Sequence, residues 1–317
     1  MLKTFIEGNR LHVGDRFSVS FQRTLRIPDD GTTYPLPPGL GLFPIHRVED
    51  FPNTATKLMT ELGGVFIPMY QREAMWLGFN AAEWKPNAVK VGIGRVNAIS
   101  GELWDEELHD QPQDYVVCPD QPWLDGINAG AGYTRQFVAM PLGKGYTVEA
   151  QITGDEAWGG LQMLVFEPKP GRFPDNAPPK PKFDSLSYLS MPAQAGVSED
   201  QMGLGAGGMM TQKIYPDRYG IDAWDQDNFG SVFVHVLNSE QFHKVTGELP
   251  PPTPVDPKTY AERGFPWFKV YDEHEGDVGP SEKLSGVRSI SEKENRKDEP
   301  LEIRPSQVVH VDPKRKH

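Results

Sequence analysis

The sequence has a single cysteine, Cys118, so no disulfide can form within one chain. No apolar run approaches the length of a transmembrane helix. The start, MLKTFIEGNRLHVGDRF, has no long apolar stretch followed by small residues, so no secretory leader is expected and the default location is cytoplasmic. Positive charge is in deficit. The formal net charge is -12, which argues against a nucleic-acid partner, because phosphate binding needs dense Lys and Arg. Standard chemistry motifs are missing too: no GxxxxGK[ST] loop, no G-x-S-x-G elbow, no HExxH or H-x-x-x-H pair. One cysteine cannot build a structural zinc site.

What is abundant is Gly (32) and Pro (30), which together force short elements and many turns. That favours a mainly β fold, a β-sandwich or jelly-roll-like body with a smaller α+β C-terminal part and a charged tail. The expected boundaries are a β-rich body over 1–167, a Pro/Gly-rich connector over 168–210, an α+β part over 211–276 and a tail over 277–317.

Local patterns support this. In LHVGDRFSVSFQRTLRI, Phe17, Val19 and Phe21 share one face, as in a half-buried strand. Val89, Val91 and Ile93 do the same. GYTVEAQITG also alternates and is expected to form a hairpin with LQMLVFEP. SVFVHVLN reads as a buried strand, with His235 a hydrogen-bonded core histidine. Short helices are expected after Asn53 (ending before Gly63), after Ser239 (before Gly247) and after Asp256, with Pro257 first and Gly264 just past the end. The Pro/Gly stretches 28–44 and 168–183 read as arms able to reach a neighbouring chain. Residues 277–317 mix charges of both signs and, alone, read as disordered.

Several stretches invite a site. GLGAGG at 203–208 matches G-x-G-x-x-G but lacks a strand before it and a helix after it, so a flexible or turned Gly segment is expected and no cofactor. DAWDQDNFG offers Asp225 and Asp227 as metal ligands. Tested as a calcium loop it has Phe229 at position 5 and Val236 at position 12, where oxygens are required. An Asp-capped turn feeding the next strand, anchored by Trp224, fits better. Asp120 and Asp125 flank Trp123, as Asp222 and Asp225 flank Trp224. Such groupings suit sugar stacking or, with a pair such as Asp120 and Asp225, carboxylate hydrolysis. The competing reading makes both tryptophans loop anchors with their indole N–H groups bonded. Cys118 reads as a buried inert thiol, and PPPTP at 250–254 as a rigid turn.

The runs MYQREAMWLGF, QDYVVCPDQPWLDGINAG, GYTVEAQITG, QKIYPDRYGIDAWDQDNFGSVFVHVLNS and PPPTPVDPKTYAERGFPWFKVYDE resemble a family of bacterial hypothetical proteins with no assigned activity. The resemblance implies one integrated protein across roughly 10–290. It brings no cofactor or catalytic residue to carry over. The favoured expectation is a non-catalytic structural or interaction protein that self-associates. The alternatives are a carbohydrate-binding module, with a glycan as partner, and a carboxylate-dependent hydrolase.

Overall fold

In the strand Phe17–Thr24 the expected face, Phe17, Val19 and Phe21, enters the main core, but Ser18, Ser20 and Thr24 on the other face are buried as well, so the strand is covered on both sides rather than half-buried. The computed structural model describes residues 1–178, 202–252, 255–270 and 276–311. Among these the fold is mainly β, with one large, mostly antiparallel sheet, few helices and a small C-terminal α/β part. One half of the sheet runs Arg10–Val13, Phe17–Thr24, Ala74–Asn80, Tyr133–Pro141, Met202–Thr211, each antiparallel to the next. The other half pairs Leu161–Pro168 with Asn87–Ile93 on one side and Trp224–Leu237 on the other. Val65–Pro68 then joins Trp224–Leu237 in parallel. The halves meet where Met202 pairs with Val236. Their inner faces share one core: Val19, Phe21, Leu77 and Phe137 from the first, Val89, Met163, Val165 and Val234 from the second. No helix among the described residues is long and apolar enough to cross a membrane.

Two expectations from local pattern are overturned. GYTVEAQITG is not a strand and forms no hairpin; Val148–Thr153 is a helix. Thr147 caps it by accepting from the Ala150 amide, and Gly154 ends it in the left-handed region. Glu149 fixes the following turn by accepting the amides of Ala157, Trp158 and Gly159. Six residues with one cap at each end satisfy alternation and helical spacing about equally, so the caps decide. GLGAGG is likewise no flexible turn. It is the middle of the buried strand Met202–Thr211. A Cβ at Gly208 would lie 2.2 Å from the Pro28 carbonyl, and one at Gly207 2.6 Å from Val138 Cγ2. These glycines let neighbouring chain approach closely.

The helix caps shift by small steps. Thr56, not Asn53, caps Lys57–Leu62, and Asn238, not Ser239, caps Ser239–Thr246. Asp256, Pro257 and Gly264 take the expected places around Pro257–Glu262.

The stretch 28–44 does not reach outward. Thr33–Tyr34 pairs with Met209–Met210, and Gly39–Leu42 pairs with Phe17–Thr24. In the connector, Lys85 holds Asp175 at 2.8 Å; residues 179–201, including the rest of the Pro-rich strap, lie outside the described residues. In the small C-terminal part, Trp267–Val270 runs parallel to Val308–Val311, and Leu36 exchanges backbone hydrogen bonds with Phe268 at 2.8 and 2.9 Å. Trp267 is buried among Leu25, Ile27, Tyr34 and Leu36.

The charged tail is ordered over 276–311, against its composition. Leu284 and Val287 join the main core, and Ile290 inserts beside Ala74, Val138 and Met140. Each such burial contributes roughly 1.5–3 kcal/mol, whereas a solvent-facing ion pair contributes about 0–1 kcal/mol. Three well-spaced aliphatic side chains therefore outweigh the surrounding charge. Residues 312–317 lie outside the described residues.

Candidate functional site

The junction between the strands Trp123–Leu124 and Gly126–Gly130, which pair with Ala74–Asn80 and Tyr133–Pro141 respectively, brings two of the expected residues together. The Trp123 indole N–H donates to Asp125 Oδ2 at 2.8 Å. Trp123 is half-buried and Asp125 is buried. Gln212 locks the corner: its Oε1 accepts the Asp125 amide at 2.9 Å and its Nε2 donates to the Trp123 carbonyl at 3.2 Å. Burial pushes the Asp125 carboxyl up to about 7, against the opposing pull of the indole hydrogen bond. Asp125 can thus hold or release a proton near neutral pH, but it does so beneath the sheet surface.

Asp120 turns elsewhere. Its Oδ1 accepts from Arg218 at 2.7 Å, and that guanidinium also lies over the Tyr219 ring at 4.9 Å. The structure separates it in role from Trp123 and Asp125.

Trp224 offers no ring face to a sugar. It is fully buried, with Phe173 and Tyr219 packed on it, and its indole N–H donates to Asp217 Oδ2 at 2.8 Å. The anchor reading holds for this tryptophan. Asp217, which no sequence reading singled out, is the hub of the region. It also accepts from the Tyr115 hydroxyl at 2.7 Å and from the Tyr219 amide at 2.7 Å.

The acids of DAWDQDNFG fall at a bulge rather than in a simple turn. The strand begins at Trp224, and its register against Leu161–Pro168 slips between Phe166–Phe229 and Glu167–Asp225. Asp225 Oδ1 accepts the Asp227 amide at 3.2 Å, the local Asx bond expected of such a stretch. Asp222 and Asp227 face solvent and Asp225 is half-buried.

Among the described residues, the grouping with metal-ligand geometry lies elsewhere, at Asp105, His109 and Asp114, whose ligand atoms all fall within 4.8 Å of one another. That centre already holds a positive charge. The buried Lys90 ammonium sits 2.6 Å from Asp105 Oδ1 and 2.8 Å from Asp114 Oδ2, with the Trp104 ring 5.5 Å away. His109 Nδ1 lies 2.9 Å from the same Asp114 oxygen. The sequence signal was the compact spacing of three ligands, two Asp and one His, over 105–114. The lysine, on the strand Asn87–Ile93, could not be paired with it from sequence.

The remaining candidates close on themselves. Cys118 is buried with its Sγ 3.4 Å from the Gln121 carbonyl, and burial raises its pKa well above the usual thiol value. His235 is buried with Nε2 2.9 Å from the Gly63 carbonyl, and burial lowers its pKa to about 4. No protein-family model, curated protein or solved structure matches this chain, so its function has to be argued from this geometry.

Proposed function

We propose that the protein is a non-catalytic interaction protein that associates with copies of itself. One observation carries the reading. Of the six large apolar side chains that are exposed among the described residues, four belong to the small C-terminal part or its approach: Leu249, Val255, Phe265 and Val309. Large apolar side chains left to solvent are candidates for a contact surface. Val309 also lies on Val308–Val311, whose described partner is Trp267–Val270 alone. A strand in that position is suited to pairing with another chain. The internal pairing of Asp120 with Arg218, Asp217 with Trp224 and Lys90 with Asp105 and Asp114 supports a structural role for those polar groups. The single thiol, which leaves no disulfide within the chain, supports a cytoplasmic location.

Light scattering at micromolar concentration is the test. The expected mass exceeds that of one 35.5 kDa chain, and Phe265→Asp with Val309→Asp lowers it. A strict monomer at all concentrations would sink the reading.

Carbohydrate binding is the second reading, and it now rests on the half-exposed Trp123 beside Asp125. Glycan-array binding that disappears in Trp123→Ala would favour it over self-association.

A further inference from the structure

Trp76 and Trp123 come together on the face of the first half-sheet that points away from the main core. On Ala74–Asn80, Met75, Leu77 and Phe79 enter that core, so Trp76 and Gly78 point outward. Leu124 enters it as well, which turns Trp123 outward. The same alternation on Phe17–Thr24 brings Ser20 and Gln22 to this face. Register then sets the neighbours. Gly78 lies between Trp123 on one side and Ser20 on the other, and Trp76 lies opposite Gln22. Trp76 and Trp123 are therefore diagonal neighbours, roughly 7–8 Å apart at the backbone.

Two glycines let the Trp76 ring lie down. A Cβ at Gly78 would meet Trp76 Cζ3 at 3.1 Å, and one at Gly39, on the far side of Phe17–Thr24, would meet Trp76 Cζ2 at 3.4 Å. Both edges of the six-membered ring are thus held against the sheet, with one face down and the other outward. Trp76 is half-buried, as that posture requires, and so is Trp123. Gln22 lies at the ring's edge, where its Oε1 would also be 3.4 Å from a Gly39 Cβ. Its Nε2 donates to Ser20 Oγ at 3.2 Å, and its Oε1 accepts from no described residue.

Two aromatic rings with an unfilled acceptor at their edge define the chemistry of a ligand. It has to present a flat apolar surface and a donor at its rim. A lipid chain offers no donor and would leave Gln22 Oε1 dry and unpaired, at a cost of about 1–3 kcal/mol. A proline-rich segment has no prolyl N–H to give, and its carbonyls need donors, whereas the Trp123 indole N–H is already held by Asp125. A nucleic acid brings phosphates that a chain of net charge -12 does not attract. A sugar ring has apolar C–H faces and hydroxyls that both donate and accept. We propose that Trp76, Trp123 and Gln22 form a platform for an oligosaccharide of at least two sugar units, one on each indole. The proposal rests on the carbohydrate reading of Trp123, and supplies its second ring and its hydrogen-bonding group.

Affinity electrophoresis of the full-length chain tests it, in native gels containing β-glucan, xylan, mannan or starch. The wild type is expected to be retarded by at least one of them. Trp76→Ala and Trp123→Ala are each expected to weaken that binding about tenfold or more, as loss of an anchor ring does. Trp76→Phe keeps a ring face and is expected to retain most of the binding. Gln22→Leu leaves both rings in place and is expected to weaken it severalfold. Melting temperatures check that the variants fold; should Trp76→Ala not fold, Gln22→Leu decides. Retardation lost in Trp123→Ala but unchanged in Trp76→Ala or Gln22→Leu overturns the proposal and leaves the Trp123 reading standing. A wild type that no polysaccharide retards overturns both. Binding of a polyproline peptide instead, seen as a shift in tryptophan emission, overturns the sugar as the ligand.

Discussion

One oxygen of Asp217, Oδ2, accepts two hydrogen bonds from fully buried aromatic side chains: the Tyr115 hydroxyl at 2.7 Å and the Trp224 indole N–H at 2.8 Å. The two donors come from positions 115 and 224, so this carboxylate ties a loop to the start of the longest strand. Burial, followed by the neighbouring Asp217 carboxylate, raises the Tyr115 hydroxyl pKa far above its ordinary value, so it stays a donor at any physiological pH.

Asp217→Ala therefore orphans two buried donors at once. Each orphan costs about 1–3 kcal/mol, so a loss of roughly 2–6 kcal/mol is expected. Urea denaturation measures it, with Trp224 as an internal fluorophore. Asp217→Asn keeps an acceptor oxygen and is expected to lose less than half as much. Equal losses in the two variants would contradict the shared-acceptor account.

A second expectation concerns pH, where two buried groups oppose each other. Asp125 titrates near 7 in the folded chain instead of 3.8, so the folded state holds its proton more tightly and stability falls as pH rises from about 4 to 7. His235 titrates near 4 instead of 6.5, so the folded state resists protonation and stability falls as pH drops from 6.5 to 4. The slopes have opposite sign over nearly the same window. Wild-type stability is expected to vary little there on account of these two groups. Asp125→Asn exposes the His235 slope, with stability rising from pH 4 to 7. His235→Gln exposes the Asp125 slope, with stability falling. At about 1.4 kcal/mol per unit, each slope amounts to at most roughly 3–5 kcal/mol. Denaturation midpoints at pH 4, 5.5 and 7 distinguish the three curves.

Lys90 provides a third. Its ammonium is the shared counter-charge of Asp105 and the buried Asp114. Lys90→Ala is expected to cost about 3–5 kcal/mol, since a buried carboxylate loses its counter-charge. Asp105, His109 and Asp114 then converge on no cation, and zinc is expected to raise the melting temperature of this variant while leaving the wild type unchanged. Equal zinc responses in both would show that the grouping plays no part.

The fold class and several local details could be read from sequence because they depend on near neighbours. Asp256, Pro257 and Gly264 mark the ends of one short helix by chemistry confined to nine residues. Trp224 was legible as an anchor because it precedes a strongly apolar strand. Its acceptor was not, although Asp217 is only seven positions away, because YPDRYGID holds two aspartates and nothing local chooses between them. Val148–Thr153 was misread because its caps, Thr147 and Gly154, matter more than its alternation. GLGAGG was misread because the reason for its glycines, the Pro28 carbonyl and the Val138 side chain, lies far away in sequence. Lys90 and Asp114 meet only after a strand and a loop have both been placed.

Asp29 accepts an amide from Ser291, 262 positions further along. A ribosome adding roughly 5–20 residues per second delivers that partner tens of seconds after Asp29 is made. Met140, the last-made of the pocket residues Ala74, Val138 and Met140, still precedes Ile290 by 150 positions, so for the later part of that interval the pocket lacks Ile290. The nascent chain therefore carries an open apolar pocket and two uncovered arginines, Arg72 and Arg135, whose partners are Glu294 and Glu292, until almost its last described residues emerge. A product stalled before Ile290 would keep both uncovered, so an aggregation-prone surface is expected to persist until that residue is added.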